Sequence, residues 1–286
     1  MAAMEKNPST KSVARYGVRI KGLLGLAFVL ANLSWLSGCG TLANGRGWGQ
    51  DATPFPSLSR LGTAALNAAI EPGTLLPLAG AIFFQVDKFD KRVSTWASKR
   101  TPIFGSQRTA FTTSDYIEGI SEAAYGITVV ATPSGDNPGE WAWAKAKGLS
   151  VGVAAIALTE ATVDFMEKET DRVRPNNKDD LSFPSAHAAR ASVCTTLASR
   201  NLRYISMPDG ARTCLRVGFT SLTLASAWSR VEAKMHYPSD VLVGMALGHF
   251  FGAFLNDAFL GAEEPKFWFG VQSSNKDLVV SLNWLF

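Results

Sequence analysis

Three short stretches hold the side chains that could do chemistry in an otherwise apolar chain: "KETDRVRP" at 168–175, "FPSAHA" at 183–188 and "SRVEAKMHYPSD" at 229–240. Each lies at the end of a segment of helical composition. Pro175 restricts Arg174 to extended geometry and ends the preceding helix, which leaves a guanidinium free to point into a cleft. Pro184 and Ser185 precede a run of good helix formers, so Ser185 is expected at an N-cap with the amides of Ala186 and His187 in the first turn. Free amides, a hydroxyl and the positive end of a helix dipole make an anion site. Pro238 suits the first turn of the following helix, with His236 just before it and Asp240 inside it. A carboxylate there can take a hydrogen bond from one imidazole nitrogen, leaving the other unprotonated and nucleophilic.

Two arginines, a lysine, helix amides, a serine and two histidines suit a tetrahedral oxyanion together with a nucleophile and an acid. Arginine forks match phosphate oxygens and balance the charge that redistributes during phosphoryl transfer. The three cysteines, Cys39, Cys194 and Cys214, show no paired short spacing, so the sequence gives no metal signature and no metal is expected. His249, between Gly248 and Phe250, reads as a packed core histidine.

The ordered pattern RP, PSAH and SR-x5-H-x3-D resembles the type-2 phosphatidic acid phosphatase superfamily, whose motifs are usually written K-x6-R-P, P-S-G-H and S-R-x5-H-x3-D. The third is matched without departure, and the resemblance covers most of the chain between the leader and the C-terminus. It implies a phosphatase working through a phosphohistidine and without a cofactor. His236 would attack phosphorus with Asp240 orienting its ring, while His187 would protonate the leaving alcohol and then activate water. Arg174, Arg230, Ser185 and the amide of Ala186 would hold the phosphoryl oxygens, with Lys168 adding charge. The substrates implied are phosphate monoesters, lipid phosphates such as phosphatidic acid among them. The superfamily also includes vanadium haloperoxidases, so vanadate is implied as an inhibitor or, in that alternative, as a cofactor. An inactive phosphate-binding lipoprotein is a third reading.

Two departures stand against the pattern. The family's glycine before the second-motif histidine is Ala186 here. Lys168 precedes Arg174 by one residue too few, and the strict lysine position is Glu167. One residue on a helix is a turn of about 100°, so Lys168 is expected to reach the site by a local adjustment, with Arg172 as the alternative cation.

The elements that must position these groups are helices. Apolar segments of helical length fall at 60–70, 73–98, 114–132, 140–170, 187–202, 211–230 and 239–259, with Pro and Gly clustered mainly at the joints. An all-α helical bundle of the type-2 phosphatidic acid phosphatase kind is expected over 59–262. Several helices are apolar nearly all round, which suits a bundle attached to a membrane, with integral insertion as the alternative. Alternating apolar residues Leu278, Val280, Leu282, Trp284 and Phe286 predict a β-hairpin within 263–286. Trp141 and Trp143, with Phe83 and Phe84, could line an entry for acyl chains, although interfacial packing accounts for them more simply.

The first 38 residues read as an export signal: Lys6, Lys11, Arg15, Arg19 and Lys21 precede the apolar "GLLGLAFVLANLSWL" and the small-residue end "SGC". Leu36 to Cys39 resemble a bacterial lipobox, so Cys39 is the expected lipidation site and 39–58 the tether. The leader holds the net charge of +4 that the whole chain carries, leaving the mature protein near neutral. Nucleic acid is therefore not an expected partner. The expected location is the bacterial envelope, lipid-anchored at the outer membrane and facing the periplasm. Cys194 and Cys214 would then sit in an oxidising compartment, as a disulfide or as two buried thiols.

Overall fold

The computed structural model describes residues 45–261 in full, and beyond them only the backbone of Trp268–Ser273 and Leu278–Asn283. The leader and Cys39 lie outside the described residues. Most of the hairpin expected over 263–286 does too, apart from the antiparallel backbone pairing of those two segments.

Residues 45–261 form a helical bundle. In chain order the helices are α1 (Leu58–Ile70), α2 (Pro72–Phe84), α3 (Phe89–Arg100), α4 (Gln107–Ala131), α5 (Pro138–Thr170), α6 (Ala186–Asn201), α7 (Asp209–Glu232) and α8 (Pro238–Leu255). A π-helical turn at Asn256–Leu260 continues α8. The long helix expected over 73–98 is broken between α2 and α3, where Asp87 and Lys88 both have positive φ.

Helices α6 and α8 make the centre. The interior of α6 is largely small, with Ala188, Ala189, Ala191 and Ala198 almost inaccessible, so α4, α5, α7 and α8 all pack against it. Gly244 and Gly248 let α8 lie directly on the α6 backbone. A Cβ on Gly244 would stand 2.4 Å from the Ser185 carbonyl oxygen, and one on Gly248 2.2 Å from that of Ala189. That contact sets the first turns of α6 and α8 side by side, and both carry site residues.

The segment expected to be a free tether is docked from Gly47 onward. Trp48 is 1% exposed and joins the core with Tyr125 and Val193. Its amide donates to the Pro133 carbonyl and the Thr53 amide to that of Phe259. Burying an indole is a large apolar gain, and Gly49, at φ +77° and against the Ala144 carbonyl, provides the close approach. Folded structure therefore begins before residue 59.

Cys194 and Cys214 are both free: Cys194 is buried in the core and Cys214 exposed on α7, so no disulfide links them. Trp141 and Trp143 are exposed at the N-terminal end of α5. They lie a helix length, roughly 38 Å at 1.5 Å per residue, from the end at Lys168. Only Phe84, at the opposite end of the bundle, lines an apolar cavity near the site.

Candidate active site

All three sequence stretches meet at one end of the bundle. The strap 171–185 between α5 and α6 is folded back on itself, the Ser182 amide donating to the Arg172 carbonyl, and is tied to α8 by the Ser185 amide donating to the Asp240 carbonyl. Pro238 opens α8, as expected, with His236 two residues before it. Ser185 is the N-cap of α6, but its hydroxyl makes no capping bond and has no partner although the residue is fully buried.

His236 is 2% exposed. Its Nδ1 lies 2.7 Å from the Ser182 carbonyl oxygen and its Nε2 3.1 Å from Arg174 Nη1. A carbonyl can only accept and a guanidinium can only donate, so the proton is on Nδ1 and the Nε2 lone pair faces Arg174. Burial first, then Arg230 and Arg174, hold the imidazole well below its ordinary pKa and therefore neutral. A neutral, oriented Nε2 is a competent nucleophile.

Asp240 does not make the contact expected of it. The His236 ring is held by the Ser182 carbonyl, while Asp240 Oδ2 accepts from the Ser182 hydroxyl at 2.6 Å and from the Tyr237 amide at 2.8 Å. Asp240 thus reaches the His236 ring only through Ser182. The reason is the helix start: a carboxylate at the third helical residue folds back on the preceding amide.

The alternative cation, Arg172, is committed to this scaffold. Its guanidinium lies 2.5 Å from Asp90 Oδ2, 2.9 Å from Asp240 Oδ1 and 3.1 Å from the Ser239 hydroxyl, and 4.6 Å from the centre of the Tyr237 ring. Asp90, on α3, also takes the Ser239 amide and hydroxyl.

Lys168 is solvent-exposed on the last turn of α5, and no hydrogen bond or ion pair joins it to another described residue. The half-buried neighbour Glu167 senses Arg174 instead; burial pushes its carboxyl up to about 7, with Arg174 opposing. The one-residue offset was not absorbed by local adjustment, because α5 stays regular to Thr170.

Two arginines remain to meet an oxyanion. Arg174 donates from Nε to Asp179 at 2.5 Å and keeps Nη1 on His236. Arg230, 3% exposed, donates from Nη1 to Ser114 at 2.9 Å, lies 5.1 Å from the Phe111 ring centre and leaves Nε unpartnered. With the unpartnered Ser185 hydroxyl and the first amides of α6, these are the donors that the site can offer an oxyanion.

His187, in the first turn of α6, has Nε2 hydrogen-bonded to Asp115 Oδ1 at 3.1 Å and an equal distance from Glu118 Oε2. Burial and then Arg230 push the ring down to about 4. Asp115, Glu118, Asp90 and Ser182 were not singled out in the sequence; an i, i+3 acid pair on an amphipathic helix reads as a solvated face.

The part of the helical core that carries both histidines and both arginines is similar to a known family. Residues 149–261 match the family model described as the PAP2 superfamily. That stretch is about two fifths of the chain. The match begins within α5 and ends after α8, so it takes in the strap and both histidines but leaves α4 outside. Among solved structures, the chain is similar to a transmembrane PAP2-type phosphatidylglycerolphosphate phosphatase from Bacillus subtilis. The identity is 17%, over 64% of this chain and 92% of that one, with a TM-score of 0.48. No curated protein matches.

His249 lies away from this site and is packed as expected. It joins Glu71 at 2.8 Å and the Thr196 hydroxyl at 3.1 Å.

Proposed function

We propose that this chain hydrolyses phosphate monoesters by transferring the phosphoryl group to His236 Nε2. The observation that supports it most directly is that nitrogen: neutral, fixed by the Ser182 carbonyl and facing Arg174. In the free protein Arg174 donates to the nucleophile's lone pair. A phosphoryl group, with three acceptor oxygens, competes for that donor and exposes Nε2 to phosphorus. Arg230 Nε, the Ser185 hydroxyl and the Ala186 amide would take the remaining oxygens. His187 would supply the proton to the leaving alcohol and recover it from the attacking water.

Lipid phosphates are the favoured substrates. An apolar cavity of about 490 Å³, lined by Phe84, Ile103, Leu224, Trp228, Val241 and Met245, is bounded by Val231 and Pro238 beside the site loop. It has room for an acyl chain. The membrane reading adds to this: α5, and α8 continued to Leu260, are each long and apolar enough to cross a bilayer. We read the chain as a bundle held at the membrane by lipid on Cys39, with the C-terminal strands as an accessory hairpin.

The test is phosphate release by the purified full chain from p-nitrophenyl phosphate and short-chain phosphatidic acid, with a chelator present. Release that His236→Ala abolishes is expected from both, whereas an absence of His236-dependent release from either overturns the proposal.

A further inference from the structure

The acid–base histidine of the proposed reaction is held from behind by α4, a helix outside the family match. Asp115 and Glu118 are one turn apart and both reach His187 Nε2 at 3.1 Å. Carboxylates accept, so the neutral ring carries its proton on Nε2. Among the described residues no group bonds Nδ1. The free nitrogen is therefore the opposite one from that of His236.

We propose that Asp115 and Glu118 form a carboxylate–imidazole clamp that makes Nδ1 of His187 the proton-transferring atom, by fixing the tautomer and stabilising the imidazolium. In the first step the Nε2–P bond to His236 forms and the P–O bond to the leaving group breaks. The Nδ1 proton of His187 passes to the leaving oxygen. In the second step neutral Nδ1 takes a proton from water as its oxygen bonds to phosphorus. The P–N bond breaks, releasing inorganic phosphate and restoring the imidazolium. A carboxylate behind an imidazole is worth most when the ring must become charged in a site poor in water.

The surrounding charges need this counterweight. Arg230 on α7 and Arg190 on α6 oppose a proton on His187, while Asp115 favours one. Glu118 also binds Arg190 at 3.0 Å, and Arg190 is shared with Glu122 and Glu160. The clamp is thus part of a chain of charges rather than a stray surface pair. Without substrate, burial and then the guanidinium of Arg230 keep the ring neutral; a phosphate dianion on Arg230 would offset the second and let the carboxylates act.

This rests on the proposed phosphatase activity, so the experiment reads the clamp in two ways. Nitrogen-edited NMR of the histidine rings needs no turnover. The neutral His187 ring should be the Nε2–H tautomer, and in Asp115→Asn/Glu118→Gln its titration should move to lower pH. Activity should then split by leaving group. The imidazolium is the acid, so activity falls as pH rises through the His187 value, and lowering that value moves the alkaline limb of kcat toward acid. The double variant should lose about 10²-fold on an alkyl phosphate, whose alkoxide needs the proton. On p-nitrophenyl phosphate, whose phenolate does not, the loss should stay below about tenfold. Asp115→Glu should retain the wild-type limb.

An Nδ1–H tautomer, an unmoved titration, or an equal loss on both substrates with the limb unshifted would each overturn the clamp. If the wild type shows the tautomer and the shift but no phosphate release, the clamp stands and the phosphatase reading falls. Asp115 is over half exposed, so Asp115→Asn alone provides the same readings should the double variant fail to fold.

Discussion

Each guanidinium left to meet a phosphate is also faced by acids. Arg174 is bonded to Asp179 and senses Glu167; Arg230 senses Asp115 and Glu118. The position where the family pattern has a lysine thus carries a half-buried acid that senses Arg174. Replacing it with a cation should act directly on substrate affinity. Glu167→Lys is expected to lower KM for p-nitrophenyl phosphate about tenfold, roughly 1.4 kcal/mol of added attraction, with a smaller change in kcat. Lys168→Ala should alter KM by less than about twofold, since an exposed charge contributes little. Steady-state kinetics of the two variants decide this, and an unchanged KM in Glu167→Lys would remove Glu167 from the site. The contiguous third motif was legible because its residues are neighbours in the chain. Ser182, Asp90 and the α4 acids were not, because nothing in their own neighbourhoods says which distant histidine or arginine they will meet. Even within the third motif, sequence gave the wrong partner for His236, since Asp240 is drawn to its own helix start and to Ser182.

The strap and the two central helices convert these residues into a site. Ser185 caps α6 while Pro238 opens α8, and the Ser185 amide donates to the Asp240 carbonyl, so the donor set depends on how closely α6 and α8 lie. Gly248 governs that spacing one turn below Gly244, and its environment is backbone: the Ala189 carbonyl and the Val193 amide, with only Ser192 Cβ as side chain. A methyl there must push the helices apart, because backbone cannot rotate away. Gly248→Ala should destabilise the fold by about 1–3 kcal/mol, read as a lowered Tm. It should also reduce kcat more than His249→Gln, which lies beside it in sequence but faces Glu71 and Thr196. A variant of wild-type Tm and kcat would show that α6 and α8 have slack. Helix positions were legible from apolar periodicity and proline placement. Two things were not: the break at Asp87–Lys88, which has no Gly or Pro to announce it, and the docking of Trp48, a single aromatic in a Gly-rich stretch.

The bundle presents apolar side chains to its surroundings on several helices, including Leu75, Leu76, Ile82 and Phe83 on α2 and Leu149, Val153, Leu158 and Phe165 on α5. Such faces mark contact with lipid or with another apolar surface. They are not uniform, however. The α5 face is interrupted by Glu160, which holds Arg190, and by Asp164, while more than half of the apolar window of α8 is buried inside the bundle. Charges cost several kcal/mol in hydrocarbon, so these interrupted faces suit contact with a bilayer, and the anchor belongs to the function proposed above. In the proposed reading a lipid attachment of more than one chain at Cys39 would govern membrane residence, because apolar side chains scattered among charges give reversible binding only. Cys39→Ser, expressed with its leader, should move from the membrane pellet to the soluble fraction after alkaline carbonate washing. It should keep kcat/KM on p-nitrophenyl phosphate within about twofold, since the folded site lies far along the chain from the anchor. On phosphatidic acid in vesicles its rate should fall more than about tenfold, as tethering no longer supplies the local concentration. Retention of Cys39→Ser in the washed pellet would instead identify α5 and α8 as spanning segments.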